Sequence, residues 1–225
     1  MCVLFCGCNP ELPQPHMLDE NYKNSEIWES NRKKDPKRFK KNSILCASSG
    51  WSDLYLYKTY GNTYYLEQSA KNFNDCWKYD PENYNSYWGW GIVIAEARAC
   101  GRTSERLLTA LKLFKMAKAK GIPAEEQANF DLDLANLYNG LGAYSILSGK
   151  SSAAAEYLKL SRDLLLPLLK ENTSLGRASF LMSVNYFFRN DFRQAEKFIQ
   201  KAAEAKFPIP ESYQKDLNAK LKKCF

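Results

Sequence analysis

ALKLFKMAKAKGIP at Ala110–Pro123, AAEYLKLSRDLLLP at Ala154–Pro167 and AEKFIQKAAEAKFP at Ala195–Pro208 share one register. In each, an alanine is followed four residues later by a large apolar side chain (Phe114, Leu158, Ile199). Three further on comes a small residue (Ala117, Ser161, Ala202), and a proline stands thirteen from the start. Positions three and four apart share a helix face, so each stretch reads as a helix that ends near its proline. A copy one residue shorter stands upstream at Ser69, Phe73, Cys76 and Pro81, and the prolines Pro81, Pro123, Pro167 and Pro208 recur at a nearly constant interval. A fixed period of about 40 residues signals a repeat architecture.

Ahead of each copy lies a second stretch of helical periodicity. In order these contain Leu56 with Tyr60, then Trp90, Gly91 and Ile94, then Leu134, Ala135 and Tyr138, and finally Met182, Ser183 and Tyr186. A large residue, a small one after it and an apolar one three later let two helices approach closely at the small position, which predicts helical hairpins. Stop-and-cap pairs fall where the hairpins would turn: Gly101 before Thr103, Gly149 before Ser151, Asn190 before Asp191. No stretch alternates with a strand period over a useful length, so no sheet is required.

At these residues the chain resembles the tetratricopeptide repeat family, whose hairpins carry a large-small-aromatic group on the first helix and Ala, Phe, Ala and Pro on the second. The resemblance covers Ile44 to Pro208, with a Lys-rich helix from Pro210 to Phe225 as a cap. It implies an all-α, right-handed superhelix of about four antiparallel hairpins over residues 44–225, preceded by a separate segment, 1–43. Two departures stand out: Tyr57 occupies the small position of the first unit, and units two and three carry about seven extra residues between their helices.

Such a stack binds on the curved surface lined by its first helices. The family register places Trp51, Leu54, Lys58, Asn85, Trp88, Asn129, Asn136, Asn139, Arg177 and Phe180 there. Amides and exposed aromatics grip an extended peptide by bonding its backbone and packing its side chains; the alternative for Trp88 and Phe180 is plain core. Family members that clamp a chaperone's C-terminal carboxylate use Lys and Asn at positions where this chain has Leu54 and Lys58, so that activity is not expected.

The net charge of +7 is concentrated: Arg32, Lys33, Lys34, Lys37, Arg38, Lys40 and Lys41 stand against Asp35 alone. A phosphate-tracking protein spreads its cations along a face, so nucleic acid is not the expected partner. The basic run reads either as a solvated linker or as a contact with anionic lipid. The seven cysteines include no CxxC pair, and His16 is the sole histidine, which argues against a metal site. Cys76 and Cys100 fit small buried hydrophobes. No Gly-rich phosphate loop occurs, and Asp131, Asp133, Glu125 and Glu126 sit near helix starts where acids favour the dipole. A non-enzymatic chain without a cofactor is the expectation.

Leu4, Phe5, Cys6, Gly7 and Cys8 resemble the lipobox of bacterial lipoproteins, although Phe5 stands where Leu is usual and no basic and apolar leader precedes it. The resemblance implies lipid on Cys8, a leader upstream of Met1, and a polar tether from Asn9 to Lys41. Without it, the segment is an unstructured cytoplasmic N-terminus. Three functions follow: a scaffold tethered in a bacterial cell envelope and holding a protein partner, a cytoplasmic interaction module with the same groove, or a helical-repeat component that encloses a small ligand for transport.

Overall fold

The computed structural model describes Leu12 and residues 15–18, 33–97, 103–171 and 175–222. Among them are nine α-helices and no strand: α1 (Pro36–Tyr60), α2 (Thr63–Tyr79), α3 (Tyr84–Glu96), α4 (Thr103–Lys120), α5 (Ala124–Leu147), α6 (Ser151–Lys170), α7 (Leu175–Phe188), α8 (Phe192–Glu204) and α9 (Glu211–Leu221). Two compact units divide them, the first ending at Ile122 and the second beginning at Pro123. In the first, α1 packs on α2, α2 on α3, α3 on α4, and α1 also meets α3. In the second, α5 packs on α6, α6 on α7, α7 on α8, α8 on α9, and α5 also meets α7. Each unit thus sets two hairpins side by side, with their first helices in contact.

The caps explain the boundaries. Asp35 accepts from the Arg38 backbone N–H at 3.0 Å with Pro36 opening α1, and Gly61 closes that helix at φ 69°, a conformation that costs other residues about 1 kcal/mol or more. Asn62, Asn83 and Asp191 cap α2, α3 and α8 through their side chains, satisfying amide groups that a helix start leaves open. Gly149 and Asn190 take positive φ at the turns where they were expected.

Small residues set how closely each hairpin closes. A Cβ at Gly50 would lie 2.9 Å from the Phe73 ring, one at Gly91 2.7 Å from Phe114, and one at Gly142 2.7 Å from Leu158. In the fourth hairpin the Ser183 hydroxyl donates to the Ala195 carbonyl at 2.7 Å. The second helices therefore present the predicted large residues to the first. Two of the predicted small positions are corrected, Gly50 taking the place of Tyr57 and Gly142 that of Ala135. Ala135 instead packs with Leu132, Leu165, Leu168, Ala178, Leu181 and Met182 in the core of the second unit.

The extra residues are relocated as well. Each hairpin can be measured from the small residue of its first helix to the partner alanine or serine on its second. Hairpins one and two have equal spans, Gly50 to Ser69 and Gly91 to Ala110, and hairpins three and four have equal but shorter ones, Gly142 to Ala154 and Ser183 to Ala195. The long pair is thus one and two, and the third hairpin has the short spacing. The surplus of about seven is close to two helical turns of 3.6 residues, so the same faces still meet.

Further corrections concern the edges. Pro167 lies inside α6, which runs on to Lys170, because the one backbone bond that proline removes is outweighed by burial of Leu165 and Leu168 on either side of it. Helix α1 begins at Pro36, upstream of the boundary drawn at Ile44, and Ser43 is buried on it. Part of the supposed tether also packs down: a 3-10 turn at His16–Leu18 lies on α2, with the Met17 side chain 0% exposed. Cys8, Arg32 and Cys100 lie outside the described residues.

Candidate binding surface

In the first unit the contact between α1 and α3 gathers three of the predicted groove residues. The Trp51 indole N–H donates to Asn85 Oδ1 at 2.8 Å, and the Trp51 ring meets Trp88 edge-on at 4.8 Å and Phe73 at 5.2 Å. Trp88 is only 5% exposed, and Leu54 is buried as well. Trp88 and Leu54 are core, while Trp51 and Asn85 stay half-buried; the Phe73 ring of α2 lies against both Gly50 of α1 and Gly89 of α3. Buried indoles find partners here as elsewhere: Trp90 donates to Asn74 at 2.7 Å and Trp77 to the Tyr87 hydroxyl at 3.0 Å. Lys58 alone among the predicted residues of this unit is exposed.

The same unit holds Cys76, buried as expected. Ser86 donates to its sulfur at 3.0 Å, Ser43 bonds its carbonyl at 3.0 Å, and burial pushes the thiol up to about 11 despite the lowering effect of these hydroxyls. A thiol so held is not a nucleophile at neutral pH.

The second unit is different. Asn129 and Asn136 are exposed on α5, seven residues apart and so on one face two turns distant. Between them Asp133 accepts from Arg177 of α7 in an ion pair that joins the two first helices. Beside this pair an open cleft of about 490 Å³ is lined by Asn129, Leu132, Gly176, Arg177, Phe207 and Pro208. Gly176 is required there, since a Cβ would sit 2.9 Å from the Phe207 Cβ. Phe180 stacks on Phe207 at 5.4 Å and meets Tyr213 edge-on at 5.5 Å, forming the cleft's aromatic support. The Tyr213 hydroxyl lies 2.8 Å from Ser183 Oγ, and burial drives its pKa up to about 12.

Asn139 does not join this face. It is 1% exposed: its amide donates to the Leu181 carbonyl at 2.9 Å, and its oxygen accepts from Asn185, which also donates to the Leu158 carbonyl at 2.7 Å. Three residues beyond Asn136 is about 60° around the helix, enough to carry Asn139 under α7. It ties α5, α6 and α7 together through buried polar bonds.

The surface therefore presents two exposed amides, an arginine held by a carboxylate, and a cleft in which Leu132, Phe207 and Pro208 stand beside Asn129, Arg177 and Lys206. Sequence reasoning missed Asp133, taken for a dipole acid, and Phe207, whose only signal was its place before Pro208. Among the described residues no group of His, Cys, Asp and Glu is arranged to hold a metal, and no helix is long and apolar enough to cross a membrane. No protein-family model, curated protein or solved structure matches the chain.

Proposed function

We propose that the chain is a non-catalytic scaffold built from hairpins of the tetratricopeptide type, wound in that family's right-handed sense. It holds an extended segment of a protein partner along α5 and α7 of its second unit. The observation that carries this reading is the alignment of Asn129 and Asn136 on one exposed face with the Arg177–Asp133 pair and the cleft at Phe207. Side-chain amides supply both a donor and an acceptor to a peptide backbone, and the cleft takes an apolar side chain, which is the division of labour in peptide grooves. In the first unit Trp51 is engaged with Asn85 and Trp88, and Trp88 is buried.

The tether belongs to the same proposal: the Leu4–Cys8 resemblance to a lipobox supports a lipid on Cys8 and a site in a bacterial cell envelope. Both parts are tested by one preparation. A photo-crosslinking amino acid is placed at 129, 136, 159 or 197 of the full chain in its own host, followed by mass spectrometry of the adduct and of the N-terminal peptide. A discrete polypeptide joined from 129 and 136 but not from Lys159 or Lys197, which are exposed on the second helices, is the expected result. Equal labelling from all four positions would sink the groove, and an unmodified Cys8 would discard the lipid tether.

A further inference from the structure

The C-terminal part of the basic run, Lys37 to Lys41, forms the first turns of α1. Its inner face is marked by the buried Ser43, Ala47, Gly50 and Leu54. At 100° per residue, Lys37, Lys41, Ile44, Leu45 and Ser48 fall within about 100° of arc on the opposite side, and all five are exposed. Ile44 and Leu45 are 57% and 56% exposed, straddling the line of Lys37, Lys41 and Ser48. Arg38 and Lys40 flank the strip. No carboxylate stands between Pro36 and Ser52, and Asp35 is engaged as the helix cap.

Isolated exposed aliphatics need no explanation. Here two large ones border a cationic strip on one side of a helix, and each half of that pattern constrains the partner. Lysines alone suit any polyanion. A nucleic acid is gripped through phosphates, base edges and stacking on aromatic rings, and it has no use for two branched alkyl groups. A surface that is both anionic and apolar within a few ångströms of depth is a bilayer with acidic headgroups, where basic residues reach phosphates and aliphatic side chains enter the acyl boundary. We propose that this face of α1 lies on an anionic membrane surface, with Lys37, Lys41, Arg38 and Lys40 against lipid phosphates and Ile44 and Leu45 inserted between headgroups. This contact is independent of the groove on the second unit and of any lipid on Cys8.

The test uses the purified full chain carrying Cys8→Ser, so that no acyl chain contributes. Flotation is compared with vesicles of phosphatidylcholine alone and of phosphatidylcholine mixed with phosphatidylglycerol. Association only with the acidic vesicles is expected. Each lysine near a charged surface strengthens binding about fivefold, so Lys37→Gln with Lys41→Gln lowers the partition coefficient about 25-fold and flattens its salt dependence. Ile44→Ser with Leu45→Ser lowers it about tenfold with the salt dependence retained. Lys159→Gln with Lys197→Gln changes nothing. All these positions are exposed, and unchanged thermal unfolding confirms that the fold is intact. Failure of the parent chain to float with acidic vesicles would overturn the assignment. So would equal retention on soluble polyglutamate with the Ile44 and Leu45 changes harmless, which would reassign the strip to an acidic macromolecule. Neither result touches the crosslinking test of the groove.

Discussion

Replacing Gly89 by alanine sets two effects of known sign against each other. In a helix interior alanine is favoured over glycine by about 0.8–1.0 kcal/mol, so propensity alone makes the variant more stable. Packing says the reverse. A Cβ at 89 would lie 2.1 Å from Phe73 Cζ and 2.2 Å from Cε1, and the ring would have to withdraw until these separations reached the 3.4 Å at which ordinary contact begins. It has little room, because the same atoms already approach a Cβ position at Gly50 to 2.9 Å, the ring meets Trp51 at 5.2 Å, and Phe73 is fully buried. Overpacking costs about 1–3 kcal/mol, and a ring with so little room stands in the upper part of that range, about 2–3 kcal/mol, which leaves a net loss of about 1–2 kcal/mol and a fall of about 5–15 °C in the midpoint of a unit near 100 residues. Urea unfolding followed by tryptophan fluorescence reads the right region, since Trp51, Trp77, Trp88 and Trp90 all belong to the first unit. Adding Phe73→Leu shortens the intruding ring and recovers about 1 kcal/mol of the Gly89→Ala loss in a double-mutant cycle. A Gly89→Ala chain as stable as the parent, or a cycle with no coupling, would refute the claim that Phe73 fixes the distance between α1 and α3.

Asn139→Ala removes the acceptor of one Asn185 N–H and the donor to the Leu181 carbonyl. Leaving buried groups unpaired costs about 1–3 kcal/mol, seen as an earlier urea midpoint by far-UV circular dichroism, whereas the paired change Asn139→Leu with Asn185→Leu recovers part of that loss. Cys76 titrates near 9.0 when unfolded and near 11 when folded, mainly because burial disfavours the thiolate. Over that interval the unfolded chain binds fewer protons than the native one, so stability is whole below pH 9 and declines as pH rises towards 11. Cys76→Ala removes that part of the alkaline slope in urea midpoints measured across the interval, and an unchanged slope would show that the thiol does not carry it.

The candidate surface was less legible than the fold because exposure depends on which way a side chain turns at a contact between helices. Asn129, Asn136 and Lys58 are exposed as the register placed them, but Trp88, Leu54 and Asn139 are buried. The register fixes which residues share a stripe. It does not fix how near the adjacent first helix comes, which in the first unit depends on the Phe73 ring lodged against both Gly50 and Gly89. Nor does a run of lysines disclose whether it precedes a helix or opens one; the cue was Asp35 followed by Pro36, an N-cap and first-turn pair, masked by the density of charge around it.

The hairpins themselves were readable from four prolines and four small-large pairs, and the two misplaced small positions share one cause. Tyr57 stands seven residues from Gly50, and Ala135 seven from Gly142. Seven residues is two turns to within about 20°, so the mistaken and the true positions lie on the same face and satisfy the same hydrophobic pattern. The slip occurs only in α1 and α5, which have 25 and 24 residues, and not in α3 and α7, which have 13 and 14 and are too short to offer two candidates. What separates the candidates is the cost of glycine inside a helix, about 1 kcal/mol against alanine, which a sequence sustains where a neighbouring side chain occupies the missing Cβ's place. Gly50 beneath Phe73 and Gly142 beneath Leu158 meet that condition. With those two glycines in place the step from Gly50 to Gly91 in the first unit equals the step from Gly142 to Ser183 in the second, while the step from Gly91 to Gly142 is longer than either. The interruption of the period coincides with the division of the chain at Ile122 and Pro123, so the repeat that announces the fold also marks where one pair of hairpins ends and the next begins.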